Sequence, residues 1–269
     1  MNPEISVIMG VYNCKSSEKL IKSIQSIIDQ TFTDWEFLIC DDGSTNDTLS
    51  LLNKVKEMDP RIKILHYDKN VSLGNALNTC LKYAKGEYIA RQDDDDISRT
   101  DRLQEELNFL NTHSDFCMVG CCADIYDDNG VWGKYSVPQF PEKKDFLKNS
   151  PFMHPTMLFR TKAIQSVNGY RVSKETRRCE DYDLFMRMYA SGLKGANLQR
   201  PLYEYYMVHN DKKMHRPMKY RVDEAKVRYI GFKNMGILKS GLPYIVKPII
   251  AGLIPAGLFS KIQNRQYNK

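Results

Sequence analysis

Four consecutive aspartates, Asp93, Asp94, Asp95 and Asp96, are the residues of this chain whose type and spacing most clearly indicate chemistry. Adjacent carboxylates repel one another unless solvent or a cation neutralises them. They follow residues 86–92, which read as a short strand, and in open α/β sheets ligands bind where strands end. Carboxylate oxygens on a short turn are suited to Mg²⁺ or Mn²⁺. The run therefore predicts a divalent cation site, with a solvated acidic loop as the alternative.

Two further polar loops are expected at the same edge of the sheet. Residues 10–14 and residues 41–46 each follow an apolar run that predicts a buried strand. Three loops that converge on one crevice indicate a nucleotide pocket. Asp41 or Asp42 could accept the ring N–H of a pyrimidine base, and Tyr12 offers a flat face for stacking. A strand-to-helix turn with a good helix cap is the alternative for the second loop.

Strand and helix patterns alternate along the first half of the chain. Apolar runs and helical periodicity predict strands at residues 5–9, 35–40, 62–66 and 86–92, and helices at 17–30, 47–58, 73–85 and around 103–110. In the second half they predict strands at 116–120, 156–159 and 202–208 and a helix at 180–191. The predicted fold class is α/β, a Rossmann-like and mostly parallel central sheet flanked by helices, followed by a helical basic C-terminal extension.

Composition is that of a globular protein. Of 269 residues, 42% are hydrophobic and 27% are charged, which fits one full core with a small appendage. The seven cysteines are odd in number and form no Cys-x-x-Cys pair, so reduced thiols are expected rather than a disulfide framework or a zinc site. The N-terminus lacks the basic and apolar regions of a signal peptide. These features predict a cytoplasmic protein.

The net charge of +6 is unevenly distributed. Residues 212–269 hold 13 Lys or Arg against two acidic residues, a balance of +11, which leaves −5 for residues 1–211. A basic tail favours an anionic surface as its partner. The apolar segment 242–259 is broken by prolines and is too short of apolar residues to span a bilayer. We therefore expect peripheral attachment to the inner face of the cell membrane, with packing on the rest of the protein or a homodimer contact as the alternative.

Several segments, taken together, resemble family 2 glycosyltransferases. They are residues 7–13, 41–45, 70–78, 86–96, 154–157 and 180–184, in the family's order and spacing. The resemblance covers residues 5–210 and implies a GT-A fold, a nucleotide-sugar donor of the UDP-sugar class, a divalent cation (Mn²⁺ or Mg²⁺) and inversion at the anomeric carbon. It makes residues 1–210 the catalytic domain, with a nucleotide-sugar-binding half of about 1–97 and an acceptor half of about 98–210. Residues 211–269 are then the C-terminal extension.

The resemblance also implies how the donor is bound. Tyr12 and Asp42 would hold the uridine base, with Gly10 and Asp41 beside them. Gly10 stands where the family often has proline or threonine, a departure that opens the pocket without abolishing it.

The family's Asp-x-Asp pattern maps onto the aspartate run. Asp93 would lie near the ribose and the donor sugar, and Asp95 would bind the metal. Because the run permits a slip of one residue, Asp94 remains a donor-binding candidate. His209 follows the last predicted strand, where some members of the family place an additional metal ligand; a surface loop histidine is the alternative.

The acceptor side carries the implied catalytic base. Asp181 matches the family's base position, and its place in the first turn of a helix is expected to favour the carboxylate form. Glu180, His154 and Arg178 are the predicted acceptor-binding residues. For His154 a hydrogen-bonded core histidine is an equal alternative, and for Glu180 and Asp181 the alternative is simple charge complementation of a helix N-terminus.

The implied activity is transfer of one sugar to a hydroxyl of a glycan acceptor, lipid-linked, in bacterial surface-polysaccharide synthesis such as that of capsule or lipopolysaccharide. The Gln-x-x-Arg-Trp motif of processive members is absent. Two other functions compete with this one. A non-catalytic membrane- or RNA-binding module would need no metal, but the acidic body argues against nucleic acid. A sugar nucleotidyltransferase would normally show a Gly-rich basic loop after the first strand, which residues 10–14 lack.

Overall fold

A mixed β-sheet organises the residues that the computed structural model describes, 2–209 and 216–255. Its strands are β1 Ile5–Val11, β2 Trp35–Asp41, β3 Ile62–His66, β4 Tyr88–Arg91, β5 Ile97–Ser98, β6 Met118–Asp127, β7 Gly130–Tyr135, β8 Leu158–Arg160 and β9 Gly195–Tyr206. The helices are α1 Ser17–Ile28, α2 Thr48–Val55, α3 Leu73–Tyr83, α4 Arg102–Thr112, α5 Thr161–Ser166, α6 Glu180–Ala190, α7 Met218–Asn234, α8 Leu238–Ile245 and α9 Lys247–Leu253. Hydrogen bonds give the strand order β3-β2-β1-β4-β8-β6-β9-β5, and β7 pairs with β6.

The first four strands are parallel and carry the polar loops to one edge. β1 lies between β2 and β4, with Val11 paired to Asp41 and Ile8 paired to Arg91. Every residue of β1 except Gly10 is buried, as is usual for a parallel strand covered on both faces. Because the neighbours of β1 follow it on opposite sides, β1 marks the topological switch point of the sheet. The loops after β1, β2 and β4 therefore open into one crevice, and the predicted α/β class is confirmed.

The second half of the sheet is mixed and departs further from the sequence-based prediction. β8 is antiparallel to both β4 and β6, whereas β9 runs parallel to β6. β6 extends seven residues beyond the predicted end, and β9 begins seven residues before the predicted start. β5 and β7 had no sequence signal: β5 has two residues, and β7 is a largely exposed edge strand with two glycines and no apolar alternation.

Serine caps and apolar faces explain the helices that flank the parallel strands. The Ser16 side chain accepts a hydrogen bond from the Lys19 amide at the start of α1, and Ser72 accepts one from the Asn75 amide at the start of α3. The buried face of α3, which includes Leu77, packs against β1 and β2. These two capped helices thus fix the loops that precede them.

The described part of the C-terminal extension packs into the main core. Phe232 of α7 and Met235, the residue after this helix, belong to the same buried cluster as Met186 of α6. Gly231 lies where a Cβ would be 2.2 Å from the Met186 sulfur, so the absence of a side chain permits this close approach. Arg228 donates hydrogen bonds to the carbonyls of residues 147 and 148. Residues 216–255 therefore share a core with the sheet, while the rest of the predicted extension lies outside the described residues.

Truncation of one buried side chain of α7 tests this packing. Phe232→Ala is expected to lower the free energy of unfolding by about 3–5 kcal/mol, because the Phe232 side chain is fully buried. Tyr229→Ala, on the same helix but 47% exposed, is the matched control and should change it by less than about 1 kcal/mol. Urea unfolding followed by circular dichroism measures both. Equal losses in the two variants would show that α7 does not contribute to the core.

Candidate active site

A cleft of about 460 Å³ opens at the edge where β1 and β2 end. Its walls come from the loop after β1, the residue after β2, the loop before α3, the loop before α6 and the first turn of α7. The lining residues are Gly10, Val11, Tyr12, Asp42, Asn70, Val71, Ser72, Leu73, Ala76, Arg177, Arg178, Glu180 and Tyr220. The structure thus brings together five residues that were predicted from three separate sequence segments.

Asp42 is fixed in this cleft by the loop that precedes α3. One carboxylate oxygen accepts a hydrogen bond from the Val71 amide at 3.0 Å, and the other accepts one from the Asn70 side chain at 2.7 Å. Burial, with the nearby charge of Asp41, raises the pKa of the Asp42 carboxyl. A carboxylate offers about four acceptor positions. Asp42 therefore keeps capacity for the ring N–H of a base.

Asp41 has a different environment from its neighbour. Its side chain is fully buried, lies 2.9 Å from Nδ1 of His66 and accepts a hydrogen bond from the Ser44 amide. It is not among the residues that line the cleft. Adjacent residues of an extended chain point to opposite faces, so two neighbouring aspartates at a strand end cannot both face one cleft. Asp41 shapes the turn, and only Asp42 faces the donor pocket.

Gly10 and Tyr12 form the β1 side of the cleft. A Cβ on Gly10 would lie 2.8 Å from the Leu73 side chain and 3.1 Å from that of Ala76, so glycine allows α3 to pack against the end of β1. The Tyr12 side chain is 47% exposed at the mouth of the cleft. An aromatic face at this position is available for a base to stack upon.

The aspartate run divides into two structural residues and two free carboxylates. Asp93 accepts a hydrogen bond from the fully buried guanidinium of Arg91. Asp96 is also fully buried, and its side chain accepts a hydrogen bond from the Tyr206 amide at 2.7 Å. Asp94 and Asp95 are only partly buried. The carboxylates of the middle two residues are therefore the ones positioned to meet a cation, while Asp93 uses only one of its two oxygens on Arg91.

Electrostatic repulsion is strong in this loop. Burial and the charge of Asp93 raise the pKa of Asp94 to about 6, and burial and the charges of Asp94 and Asp93 raise the pKa of Asp95 to about 7. Hard oxygen donors with uncompensated negative charge fit a divalent cation. Within the described ranges no group of three or more His, Cys, Asp or Glu forms a complete metal site. Waters and a diphosphate would have to complete the coordination, as they commonly do for Mg²⁺.

His209 lies beyond the end of β9, beside the hairpin of β6 and β7. Its amide donates a hydrogen bond to the Asp127 carboxylate at 3.2 Å, and its ring lies 4.7 Å from that of Trp132. The neighbouring Tyr126 donates a hydrogen bond to the backbone carbonyl of Asp95. His209 therefore contacts the hairpin of β6 and β7, whose Tyr126 contacts the acidic loop, and its role as a metal ligand stays a prediction.

Glu180 and Asp181 open α6; Glu180 lines the cleft, whereas Asp181 lies next to it and is not among the lining residues. Burial and the adjacent charge of Asp181 raise the pKa of Glu180 to about 7. Burial also raises the pKa of Asp181, against a hydrogen bond from the Tyr182 amide and the charge of Arg216, which lower it. The predicted preference of the helix N-terminus for the carboxylate form of Asp181 is thus one contribution to its pKa. The backbone acts in that direction, but burial outweighs it.

His154 lies in the core rather than at the surface of the cleft. Its Nε2 is 2.8 Å from the Tyr170 hydroxyl, and its ring meets those of Tyr170 and Phe185 edge-on. Burial and the charge of Arg91 lower the pKa of His154 well below its usual value, so the imidazole is neutral. These contacts favour the alternative of a core histidine.

Two lining residues were not assigned to the donor pocket from the sequence. Arg177 donates a hydrogen bond to the Val71 carbonyl at 3.2 Å and so connects the loop before α6 to the loop that holds Asp42. Tyr220 comes from the first turn of α7, inside the predicted extension. No local pattern indicates that this helix returns to the cleft, so Tyr220 could be found only from the tertiary structure.

Comparisons with known proteins agree with the fold and with the arrangement of the cleft. A family model described as Glycosyl transferase family 2 matches residues 6–167. The putative glycosyltransferase EpsE of Bacillus subtilis (strain 168) is 37% identical over 265 residues, which cover 98% of this chain and 94% of that protein. The UDP-Gal:alpha-D-GlcNAc-diphosphoundecaprenol beta-1,3-galactosyltransferase of Escherichia coli is 29% identical over 231 residues, 84% of this chain and 82% of that protein.

A solved structure shares the architecture. The structure of an S. aureus TarS fragment in complex with UDP-GlcNAc superposes with a TM-score of 0.68 at 21% identity, over 91% of this chain and 73% of that chain. The likeness confirms the predicted GT-A type of fold.

Removal of one free carboxylate should stabilise the metal-free protein. Folding raises the pKa of Asp95 from 3.8 to about 7, so the folded state binds this proton more tightly and loses stability as pH rises through that interval. Asp95→Asn is therefore expected to increase the free energy of unfolding at pH 8 in EDTA by about 1–2 kcal/mol, allowing for solvent screening. The gain should shrink at pH 5.

Urea unfolding at the two pH values measures this effect. Asp68→Asn is the control, because the Asp68 side chain is 98% exposed, and it should change the free energy of unfolding by less than about 0.5 kcal/mol. A destabilised Asp95→Asn variant at pH 8 would show that the carboxylate repulsion inferred here is not present in solution.

Proposed function

We propose, from the premise that this chain belongs to glycosyltransferase family 2, that it transfers one sugar from a UDP-sugar to a hydroxyl of a lipid-linked glycan with inversion at the anomeric carbon. That the chain is a glycosyltransferase follows from the family; the donor, the acceptor and the mechanism are the proposal. One observation carries it: a single cleft joins the base-binding Asp42 and Tyr12 to the acidic end of α6, with the aspartate run at the end of the adjacent strand β4.

Similar proteins support the class of donor and acceptor. The Escherichia coli galactosyltransferase described above is named for a UDP-sugar donor and a GlcNAc-diphosphoundecaprenol acceptor. Asp42 and Tyr12 provide an acceptor and a stacking face, which are the groups that a uracil ring requires. We extend the donor and acceptor classes to this chain, and with them a role in surface-polysaccharide synthesis.

The acidic loop is the proposed cation site. Asp95 and Asp94 would hold Mn²⁺ or Mg²⁺, because their carboxylates are partly exposed and lack a compensating charge of their own. When bound, such a cation neutralises the negative charge that develops on a departing diphosphate. The hydrogen bond from Arg91 fixes the Asp93 side chain, which is proposed to meet the ribose and the donor sugar.

Asp181 is the proposed general base. It would take the proton of the acceptor hydroxyl while that oxygen bonds to the anomeric carbon and the bond from this carbon to the diphosphate breaks. Attack on the face opposite the leaving group inverts the configuration in one displacement. A carboxylate whose pKa is raised by burial is a stronger base than a solvated one, provided that it is ionised. Glu180, next to it in the cleft, is the proposed contact for the acceptor, together with Arg178.

Calorimetric titration of UDP into the protein tests the donor site. We expect binding in Mn²⁺ that is lost in EDTA and lost in Asp95→Ala, because the cation connects the acidic loop to the diphosphate. Asp181→Asn should retain UDP binding and lower the rate of sugar transfer or donor hydrolysis by about 10²–10⁴. Asp115→Asn, an exposed residue outside the cleft, is the control for both measurements.

Two results would contradict this function. Failure of UDP to bind under any condition removes the UDP-sugar assignment, and failure of all nucleotides leaves the binding-module alternative. Full turnover in Asp181→Asn with intact donor binding would remove Asp181 as the base.

The described C-terminal helices also present an apolar surface, which we name the α8–α9 stripe. It comprises Leu242, Val246, Ile250 and Leu253, whose side chains are 46–73% exposed. Their spacing of three and four residues places them along one side of consecutive helices. Within residues 2–209 and 216–255, no helix is long and apolar enough to cross a membrane.

We propose that the α8–α9 stripe lies on an anionic bilayer. Residues 216–255 hold eight Lys or Arg against two acidic residues, so the surroundings of the stripe complement anionic headgroups. Apolar side chains beside such a basic face are typical of helices that lie in the membrane interface. A lipid-linked acceptor would be met at that surface. A homodimer through the same stripe is the competing occupant.

Substitutions on the stripe test this attachment without disturbing the core. The double variant Leu242→Glu, Ile250→Glu should lose at least about tenfold in recovery with phosphatidylglycerol vesicles in a flotation assay. Two apolar side chains that would enter the bilayer are replaced by carboxylates, which the anionic headgroups repel. Val131→Glu, at a residue 62% exposed on β7, is the control. Equal recovery of all three proteins contradicts the proposal, and a dimer that only the double variant loses would assign the stripe to self-association.

A further inference from the structure

Arg216 connects the start of α7 to the loop that precedes α6. Its Nη1 donates a hydrogen bond to the backbone carbonyl of Arg178 at 3.0 Å and lies 4.0 Å from a carboxylate oxygen of Glu224. Glu224 is itself held by two hydrogen bonds from Arg228, which also binds carbonyls of the main body. The guanidinium of Arg216 is therefore anchored on α7 and reaches across to a neighbouring loop.

The residue that receives this hydrogen bond has an unusual backbone. Arg178 has a φ of +69°, in the left-handed region that residues other than glycine rarely adopt. Such a conformation costs on the order of 1 kcal/mol and persists where its surroundings hold it. Cys179 follows directly and caps α6, whose first turn carries Glu180 and Asp181. The turn at Arg178 thus sets the direction in which Asp181 is presented.

We propose that Arg216 is a positioning residue for Asp181: it holds the left-handed turn at Arg178 and places a positive charge beside the carboxylate that this turn presents. The role of Asp181 as the base rests on the function proposed above, whereas the contact between α7 and the turn does not. Nothing in the resemblance to the family assigns this residue a part in the reaction.

The charges around Asp181 show why one arginine matters. Several titratable groups interact electrostatically with Asp181. Cys179 and Glu180 precede it, and Tyr182 follows it. The others come from different elements: Tyr170 after α5, Asp93 after β4, and Arg216 just before α7. Burial and the charge of Asp93 raise the pKa of Asp181, while the Tyr182 amide and the charge of Arg216 lower it. Loss of Arg216 would remove the cationic contribution and leave the acidic ones.

The C-terminal extension contacts the site at two places. Tyr220 of α7 lines the wall of the cleft, and Arg216, just before α7, binds the turn before α6. α9 packs on the same turn of α7, since a Cβ on Gly252 would lie 2.9 Å from Met218 and 3.2 Å from Arg221. The segment that carries the α8–α9 stripe is therefore in direct contact with the segment that supports Asp181.

A carboxyl titration by ¹³C NMR tests the proposal on the full chain without substrate. Asp181→Asn identifies the Asp181 signal. Relative to wild type, Arg216→Gln is expected to raise the titration midpoint of Asp181 by about half a unit to one unit, because an opposing charge is lost at a partly exposed site. Arg216→Lys should restore most of the shift. Lys233→Gln, an exposed charge loss in the last turn of α7, should leave the midpoint unchanged.

The pH dependence of kcat gives the second readout. Because Asp181 must be ionised to act as a base, the acidic limb of the profile should move upward with the midpoint in Arg216→Gln, which lowers kcat about 3- to 10-fold on that limb. UDP binding should change little. A merely structural role would lower the unfolding midpoint and UDP binding without moving the limb.

The outcomes separate this inference from the proposed function. An Asp181 midpoint in Arg216→Gln that equals the wild-type value overturns the inference, whatever the activity. A shifted midpoint in a protein with no glycosyl transfer supports the contact and overturns the function of Asp181. A shifted midpoint with a shifted limb supports both.

Discussion

The buried guanidinium of Arg91 is the constraint on which the rest of the site depends. It sits at the end of β4 with no solvent exposure, and its charge is compensated by Asp93. A buried charge without a partner is strongly destabilising, so the loop after β4 must turn to bring a carboxylate onto it. Burial and, after it, the same positive charge lower the pKa of His154, and this charge also opposes the rise in the pKa of Tyr170. Arg102, itself fully buried, donates a hydrogen bond to the Arg91 carbonyl and supports the strand end from behind.

Once Asp93 is committed to Arg91, the other carboxylates of the acidic loop and Glu180 at the start of α6 have no ion-pair partner among the described residues. Burial raises the pKa of Asp94, Asp95 and Glu180 toward neutrality, and neighbouring aspartates add to the rise: Asp93 for Asp94, Asp94 and Asp93 for Asp95, and Asp181 for Glu180. This is a cost in the unliganded protein that a bound cation and a polar substrate would remove, and functional sites commonly carry such costs. The protein can bear this cost in stability because parallel strands and capped helices hold the loops from beneath.

The sequence predicts well those parts whose signal is local. β1, β2 and β3 are short apolar runs that lie between turn residues, and Ser16 and Ser72 mark helix starts. The convergence of three loops then follows from the rule that parallel strands end at one edge. Features that depend on distant contacts were not predictable. β5 exists because Ile97 pairs with Glu204, and the side chains of Asp41 and Asp42 are distinguished only by the positions of His66 and Asn70.

The combination of motifs indicates the family, but the last of these motifs lies at residues 180–184, before the C-terminal extension. Tyr220 lies in α7 and Arg216 lies just before it, in a segment whose sequence reads as basic surface, and burial of Phe232 holds this helix against the core. By its charge balance, the extension reads as a basic tail. In the folded protein, Tyr220 of this extension is part of the wall of the cleft.

The return of α7 to the cleft has a consequence for synthesis of the protein. A nascent chain exposes its N-terminal strands first and can order β1 to β4 while later segments are still inside the ribosome. The wall that includes Tyr220 cannot form until α7 has emerged, because its partner surfaces on α6 and the 143–148 turn wait for it. A chain interrupted before that point would carry every recognisable motif of the family and still present an unfinished cleft. The cleft can therefore be completed only after α7 has emerged and packed against α6.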